Sequence, residues 1–556
     1  MPTNPSNRLA PSSPPLGALL LFVAVVAVYA FRLGSLGLTE PDEARYASVA
    51  RAMLRTHDLL TPRFNGFVYL DKPPLLHWLT AASFALGGAN EFCARAVSVL
   101  AAAAIVALVY AFGRAAFGPG AGLISAIVLA SSLQWFLMGR VLRFDMLLAL
   151  AISATLWWVW AAVEAGDRGR RYWLFAAGAI GLGMLTKGPV ALVLPAIILP
   201  LYLAITRRLP VLLRVPWLPC LAVLVLIVAP WCLFCERANP GALRYMLLQE
   251  NLARVAGEVG ETHARPWWYF LAILPAGLLP WALCLPGALV DALGPRLRKQ
   301  EAEWRASVLL LLWLAVPLVL FSLPQGKLFG YLLPALPAAA LLIGRTLATP
   351  ARGRAALIAT GGLLLGAALA LQIIGLKPIS RAGYPADPFV PLMAAALLLS
   401  GLAAIVFSLW GKPAVALAGV ALGASFAYHV AVRAAELAYP PVSERSLAQA
   451  LAAYRRPEEK IVAYGRMSRG ALFYLEEPII VVGNLPGEYD FPGNRARLKG
   501  WFYERSEADR FFSDSPPMIG TARANHWQEL RTRLPNRVRL LTTVGKNVVF
   551  RTLPAK

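Results

Sequence analysis

Apolar runs recur along the chain from Leu16 to Val432. Each is close to the roughly 20 residues that cross a hydrocarbon layer as a helix. Their cores lie near Leu16–Phe31, Phe92–Phe112, Gly120–Met138, Met146–Val163, Tyr172–Leu185, Pro189–Ile205 and Trp217–Phe234. Six more lie near Trp268–Leu289, Ala306–Ser322, Phe329–Ile343, Ala355–Ile374, Pro388–Leu409 and Pro413–Val432. The pattern predicts about thirteen transmembrane helices. After Glu436 it changes to short mixed segments punctuated by Gly and Pro. Ser443–Tyr454, Glu507–Ser513 and Asn525–Arg533 read as helices. Lys460–Tyr464, Ile479–Val482, Met518–Thr521, Arg537–Thr543 and Asn547–Arg551 read as strands. The expected architecture is an all-α polytopic membrane domain over residues 1–435 and a small soluble α/β domain over 436–556.

One connection breaks the rhythm. Residues 32–91 form a loop far longer than the usual connection of a few residues. Within it, Glu43–Arg55 has the amphipathic spacing of a helix lying in the membrane interface, with Tyr46, Val49, Ala50, Met53 and Leu54 on its apolar face. Pro41 precedes it, and Asp42 and Glu43 stand where acidic side chains favour a helix start.

Charge then gives orientation. Alternate connections hold Arg114; Arg168, Arg170 and Arg171; Arg207, Arg208 and Arg214; Arg296, Arg298, Lys299 and Arg305; Arg352 and Arg354; and Lys412. By the positive-inside rule these face the cytoplasm, together with the N-terminus. The long loop and the C-terminal domain then face the periplasm. Arg140, Arg143, Lys187 and Lys327 fall at the outer boundary in short connections, where orientation does not explain them. An ionisable group there is costly and marks a candidate site; snorkelling to outer headgroups is the structural alternative for any one of them.

Composition agrees. The chain has 556 residues, 58% of them hydrophobic, and a formal net charge of +23; its mean hydropathy is +0.59. The excess of cations fits orientation and contact with anionic membrane lipids. No nucleic-acid-binding signature accompanies it. The five cysteines lie in or beside apolar runs, so Cys232 and Cys235 read as small buried hydrophobes despite their spacing. No internal repeat is evident, which argues against a transporter built from duplicated halves.

Two segments of the long loop carry the chemistry: Leu38-Thr39-Glu40-Pro41-Asp42-Glu43-Ala44-Arg45-Tyr46 and Tyr69-Leu70-Asp71-Lys72-Pro73-Pro74-Leu75-Leu76-His77-Trp78. Capping alone could account for Asp42 and snorkelling for Lys72. Together these segments resemble the signature of the polyprenyl-phosphate-sugar glycosyltransferases with a multi-span helical core, the GT-C superfamily that includes the protein mannosyltransferases. Within it, the chain is most similar to the bacterial lipid A aminoarabinose transferases. The resemblance continues through Arg143-Phe144-Asp145, Met184–Pro189, Glu261–Tyr269 and Gly326–Tyr331.

The resemblance implies a donor sugar on undecaprenyl phosphate, a lipid A phosphate acceptor and single-step inversion, giving resistance to polymyxin and cationic peptides. Other acceptors on the same fold, protein Ser/Thr or another part of lipopolysaccharide, are the near alternative, and a lipid transporter is the distant one. The implied catalytic group is Asp42, Asp145, Glu43 and Arg45. Departure of the carrier phosphate builds negative charge that fixed cations should meet, and Lys72, Lys187, Arg265 and Lys327 are the implied cations, with Tyr331 adding a hydroxyl. Tyr46, Tyr69 and Arg143 are the implied substrate contacts. No cofactor is required; Asp71 and His263 are candidate ligands for one divalent ion, zinc or magnesium, with a hydrogen-bonded histidine as the plainer reading of His263.

Overall fold

The computed structural model describes residues 16–253, 264–294, 300–375, 389–438 and 443–554. The chain forms two compact units. The first comprises Met1–Phe31, Ser98–Pro230 and Asn251–Ala438. The second comprises Arg32–Val97, Trp231–Glu250 and Tyr439–Lys556. The long loop therefore belongs with the C-terminal domain, whereas the sequence boundary at 435/436 left it with the membrane helices.

Among the described residues, eight helices are long and apolar enough to cross a membrane, or up to ten if each of two bent pairs is one span. The runs expected near Met146–Val163 and Tyr172–Leu185 become Phe144–Ala165 and Arg170–Lys187, joined by one short 3-10 turn. Two expected spans are broken. Pro119–Ala130 and Leu133–Gly139 meet at 64°, and Tyr269–Gly277 and Trp281–Leu293 at 116°. Broken backbone at membrane depth has to find partners inside the protein. The two breaks supply them to each other. Leu133 N donates to Leu279 O at 2.9 Å, Trp281 Nε1 donates to Ser131 Oγ at 2.9 Å, and Tyr428 Oη donates to Leu279 O at 2.8 Å.

The second unit is built on a six-stranded sheet. Its strands are β3 (Ile461–Gly465), β4 (Ile479–Gly483), β5 (Phe502–Glu504), β6 (Ile519–Arg523), β7 (Val538–Val544) and β8 (Asn547–Thr552), in spatial order 5-4-3-6-8-7. Strands β3 to β6 pair in parallel, and β8 and β7 close the edge antiparallel. Alternation along the strands sends Ile461, Ala463, Ile479, Val481, Ile519 and Val549 to one face. Val462, Tyr464, Ile480, Val482, Ala522 and Phe550 go to the other. Both faces are buried, so these strands read as continuous apolar runs.

The first face is covered by tail helices, through Leu447, Leu451 and Ala471, and by the long loop. Val49, Phe64, Phe67 and Tyr69 join its core. Val49 comes from the interfacial helix, Asp42–Thr56. The others flank a two-residue hairpin, β1 (Arg63–Phe64) and β2 (Phe67–Val68). Its turn residues Asn65 and Gly66 both have positive φ, 53° and 85°, as the primed hairpin turn requires. The Asn65 side chain then docks the hairpin. It accepts from Ile479 N at 2.9 Å and donates to Ile479 O at 2.8 Å and Tyr489 Oη at 2.7 Å. Asn65→Ala would remove three buried hydrogen bonds. We expect it to cost about 2 kcal/mol, read as a lower midpoint of thermal unfolding in detergent.

Candidate active site

In the second unit, Asp42 opens the interfacial helix directly after Pro41. The helix is anchored at its start by Ala44 N to Thr39 O at 3.3 Å and Arg45 N to Pro41 O at 3.3 Å. Three positions along from Asp42, Arg45 reaches back and donates from Nη2 to Asp42 Oδ1 at 2.5 Å. The Arg45 guanidinium lies 5.0 Å from the Tyr46 ring centroid and 5.9 Å from that of Tyr69. Its other terminal nitrogen donates to Glu488 Oε1 at 3.2 Å. Asp42 retains 17% side-chain exposure, so the pair is accessible. Burial raises the cost of charge on Glu488, but hydrogen bonds and charge from Arg469, with Arg45 behind them, hold its carboxyl below the usual carboxylate range.

Glu43 is differently placed. It is 0% exposed. Arg95 forks both of its oxygens, Nε to Oε1 at 2.8 Å and Nη2 to Oε2 at 2.7 Å. Thr39 adds its backbone N–H and hydroxyl, both at 2.9 Å. This is the environment of a structural ion pair, with no face left for a substrate. Tyr69 is likewise 1% exposed, within the core under the sheet, and Tyr46 is buried too.

Asp71 and Lys72 lie in the turn before the helix Leu75–Gly87. Lys72 Nζ donates to Asp71 O at 2.6 Å and pairs with Glu250 Oε2 at 3.4 Å. Asp71 Oδ1 accepts from Tyr245 Oη at 3.4 Å. His263 lies outside the described residues. Among the described residues, no group of three or more His, Cys, Asp or Glu side chains has the geometry to hold a metal ion. Asp71 could contribute one oxygen ligand.

In the first unit, Asp145 sits in the first turn of Phe144–Ala165, and Arg143, half-buried, precedes it at the cap position. Lys187 is the last residue of Arg170–Lys187, where the helix dipole favours a cation. Lys187 Nζ pairs with Asp145 Oδ1 and stands 4.4 Å from the Tyr331 ring centroid. Gly330 makes room: a Cβ there would come within 2.9 Å of Asp145 Oδ2. Three of the expected residues thus form one cluster.

The remaining cations differ. Lys327 is 3% exposed and donates to Arg265 O at 3.1 Å and to Pro324 O. The Arg265 side chain is exposed. Arg140 donates to Tyr29 O and, at 2.9 Å, to Phe31 O. Lys327 and Arg140 thus serve backbone carbonyls at irregular turns or helix ends, groups that need partners in an apolar setting.

A family model for dolichyl-phosphate-mannose-protein mannosyltransferases matches residues 71–234. The undecaprenyl phosphate-alpha-4-amino-4-deoxy-L-arabinose arabinosyl transferase of Pseudomonas aeruginosa UCBPP-PA14 is 34% identical over 400 residues, covering 71% of each chain. This chain belongs to that aminoarabinose transferase family. A second relative, transferase 1 of Pseudomonas fluorescens Pf-5, is 33% identical over 432 residues, covering 74% of this chain and 76% of the relative. Among solved structures, ArnT from Cupriavidus metallidurans bound to undecaprenyl phosphate has a TM-score of 0.85 at 24% identity, covering 97% of this chain and 98% of that one. The archaeal oligosaccharyltransferase AglB from Archaeoglobus fulgidus has a TM-score of 0.51 at 12% identity, covering 94% of this chain and 69% of that one. The fold of the aminoarabinose transferases is therefore the fold of this chain.

Within that family frame, the structure adds residues that sequence reasoning passed over. Glu488, Arg95, Tyr245 and Glu250 all contact motif residues. None has a local pattern that marks it. The hairpin did have one, since Asn-Gly between Phe64 and Phe67 is a strong turn signal.

Proposed function

We propose that this chain transfers 4-amino-4-deoxy-L-arabinose from undecaprenyl phosphate to lipid A phosphate groups, and so lowers the affinity of the outer membrane for polymyxin and other cationic peptides. Membership of the aminoarabinose transferase family carries this reading. The bond from the sugar's anomeric carbon to the carrier phosphate breaks, and a bond to an acceptor phosphate oxygen forms on the opposite face. That acceptor is already ionised, so no base is needed to activate it. The role left to Asp42 is electrostatic. It faces the positive charge that develops on the sugar ring, or the ammonium of the amino sugar. Arg45 orients it. Lys72, Lys187 and Arg265 meet the charge on the departing phosphate, with Tyr331 as a hydroxyl donor and Asp145 holding Lys187. Tyr46 and Arg143 contact substrate. Glu43 and Lys327 support the backbone, and Tyr69 packs in the core under the sheet.

The orientation follows from the basic connections. The N-terminus is cytoplasmic, thirteen spans cross the inner membrane, and the motif loop and sheet domain are periplasmic. The count takes each bent pair as one span and divides the 44-residue stretch Phe144–Lys187 in two; Leu16–Ala30 and Val190–Ile205 complete it.

Expression in a Gram-negative host that makes the aminoarabinose carrier but lacks its own transferase tests the proposal. Mass spectrometry of lipid A should show addition of amino-pentose units. Unmodified lipid A, with the protein present in the membrane, would sink it, and would turn the search to glycosylated proteins, the acceptor class of the matching family model.

A further inference from the structure

The sheet domain reaches the Asp42 turn through a pair of charged residues. Arg469 opens the helix that follows β3, Arg469–Leu475. It forks Glu488, Nε to Oε1 at 2.5 Å and Nη2 to Oε2 at 3.0 Å. Each member of this fork also lies beside one residue next to Asp42. Glu488 accepts from Arg45, three positions after it, at 3.2 Å. Arg469 stands 3.9 Å from the carboxylate of Glu40, two positions before it. The charges alternate along the chain of contacts Asp42, Arg45, Glu488, Arg469, and the Glu40 carboxyl lies beyond its end. Its middle is nearly dry, with the Glu488 side chain 1% exposed. A bidentate guanidinium–carboxylate pair fixes direction as well as distance. Glu488 lies outside the motifs and outside the strands, in the turn Gly487–Tyr489.

We infer that the Arg469–Glu488 fork is the clamp that sets the position of Asp42, gripping it through Arg45, so that these two tail residues are positioning residues for the transfer reaction. The inference rests on the proposed role of Asp42. It gives the C-terminal domain a part in the reaction, which is to hold the catalytic turn in register. Glu444 lies against the clamp on the tail side and accepts from Ser468 Oγ at 2.5 Å, Arg466 Nη2 at 2.9 Å and Gly470 N at 3.1 Å. Burial first, then the Glu444 charge, push the Glu40 carboxyl well above the usual carboxylate range, which leaves the Arg469 charge chiefly for Glu488.

The test uses the full chain in detergent or nanodiscs. Glu488→Gln should lower kcat by roughly ten- to a hundredfold, the scale of a small misplacement of a catalytic group, with KM for the lipid-linked donor within about twofold. Glu488→Asp should recover part of the loss. The charge-swapped double variant Arg469→Glu with Glu488→Arg discriminates. A fork that only welds the domain together would be restored by the swap. A clamp would not, because the swapped guanidinium faces Arg45 where Glu488 had accepted its hydrogen bond. Restoration by the swap, or a Glu488→Gln enzyme within about twofold of wild-type kcat, overturns the inference. If Glu488→Gln does not fold, the neutral pair Arg469→Gln with Glu488→Gln carries the same expectation. Hydrogen exchange of residues 42–50 gives a readout independent of the reaction. The clamp requires faster exchange there in Glu488→Gln with β3 unchanged, and unchanged exchange overturns it. A wild-type chain inactive on lipid A would defeat the proposed function while leaving the exchange result to decide the clamp.

Discussion

Asp42→Asn should reduce transfer by about 10²–10³-fold or more, the scale for removing one preorganised electrostatic group from an active site, and should leave folding intact. The substitution keeps shape and removes only charge. Asp42 is partly exposed, so its burial contributes little stability to lose. Arg45 keeps Glu488 as a charge partner, so no buried cation is stranded. The loss should fall on kcat, with KM for the donor nearly unchanged, because the carboxylate acts on charge that appears only as the glycosidic bond breaks. Steady-state transfer to lipid A, followed by mass spectrometry or a radiolabelled sugar, measures it. A variant retaining more than a tenth of wild-type kcat would remove Asp42 from the reaction and shift attention to Asp145, the second acid of the motif set. Lowered KM alongside lowered kcat would instead indicate that Asp42 strains the bound donor.

The membrane helices were legible because hydropathy writes a span in one continuous stretch of chain, and the boundaries of Phe144–Ala165 and Arg170–Lys187 fall within two residues of the expected cores. The bends were not. Ser131–Ser132 and Leu278–Pro280 break two spans, yet Pro also stands unbroken inside Val190–Ile205 and Trp217–Ala238. What decides is whether a neighbouring segment can satisfy the opened backbone, as Leu133 and Leu279 do for each other. The same limit governed the cations. Lys187, paired with an acid beside Tyr331, and Lys327, donating to carbonyls, carry similar local sequence signals: a lysine in a short connection next to glycine. Only the fold separates them. In the tail, the expected strands β3, β4, β6, β7 and β8 are present, and the short edge strand β5 and the helix Arg469–Leu475 were missed. That helix carries the clamp. Its role depends on Glu488 and Glu40, which come from distant parts of the chain, and a single sequence does not register such pairings.

Arg95→Met is the substitution we expect to damage the fold most. Arg95 lies in the first turns of the helix Glu91–Phe117 and is 3% exposed. Besides forking Glu43 it donates to three carbonyls of the preceding turn: Leu33 O at 2.9 Å, Leu36 O at 2.6 Å and Gly37 O at 3.1 Å. Residues 33–43 are thus wrapped around one guanidinium. Methionine fills similar volume and supplies none of the donors. It leaves Glu43 charged or protonated in a dry pocket and three carbonyls without their partner. Breaking a buried pair from one side costs about 3–5 kcal/mol, a large share of the roughly 5–15 kcal/mol that holds a typical fold. The expected result is a markedly lower yield of folded protein and a lower unfolding midpoint in detergent. Glu43→Gln should cost less, since an amide can still accept from Arg95 through its oxygen. Combining Arg95→Met with Glu43→Leu should recover part of the stability, because the pair is then replaced by apolar groups instead of being halved. Transfer by that double variant, at a temperature where it is folded, also separates the two acids of the motif. If Glu43 is structural, activity persists without its carboxylate. If activity vanishes while the fold survives, Glu43 acts in the chemistry despite its burial.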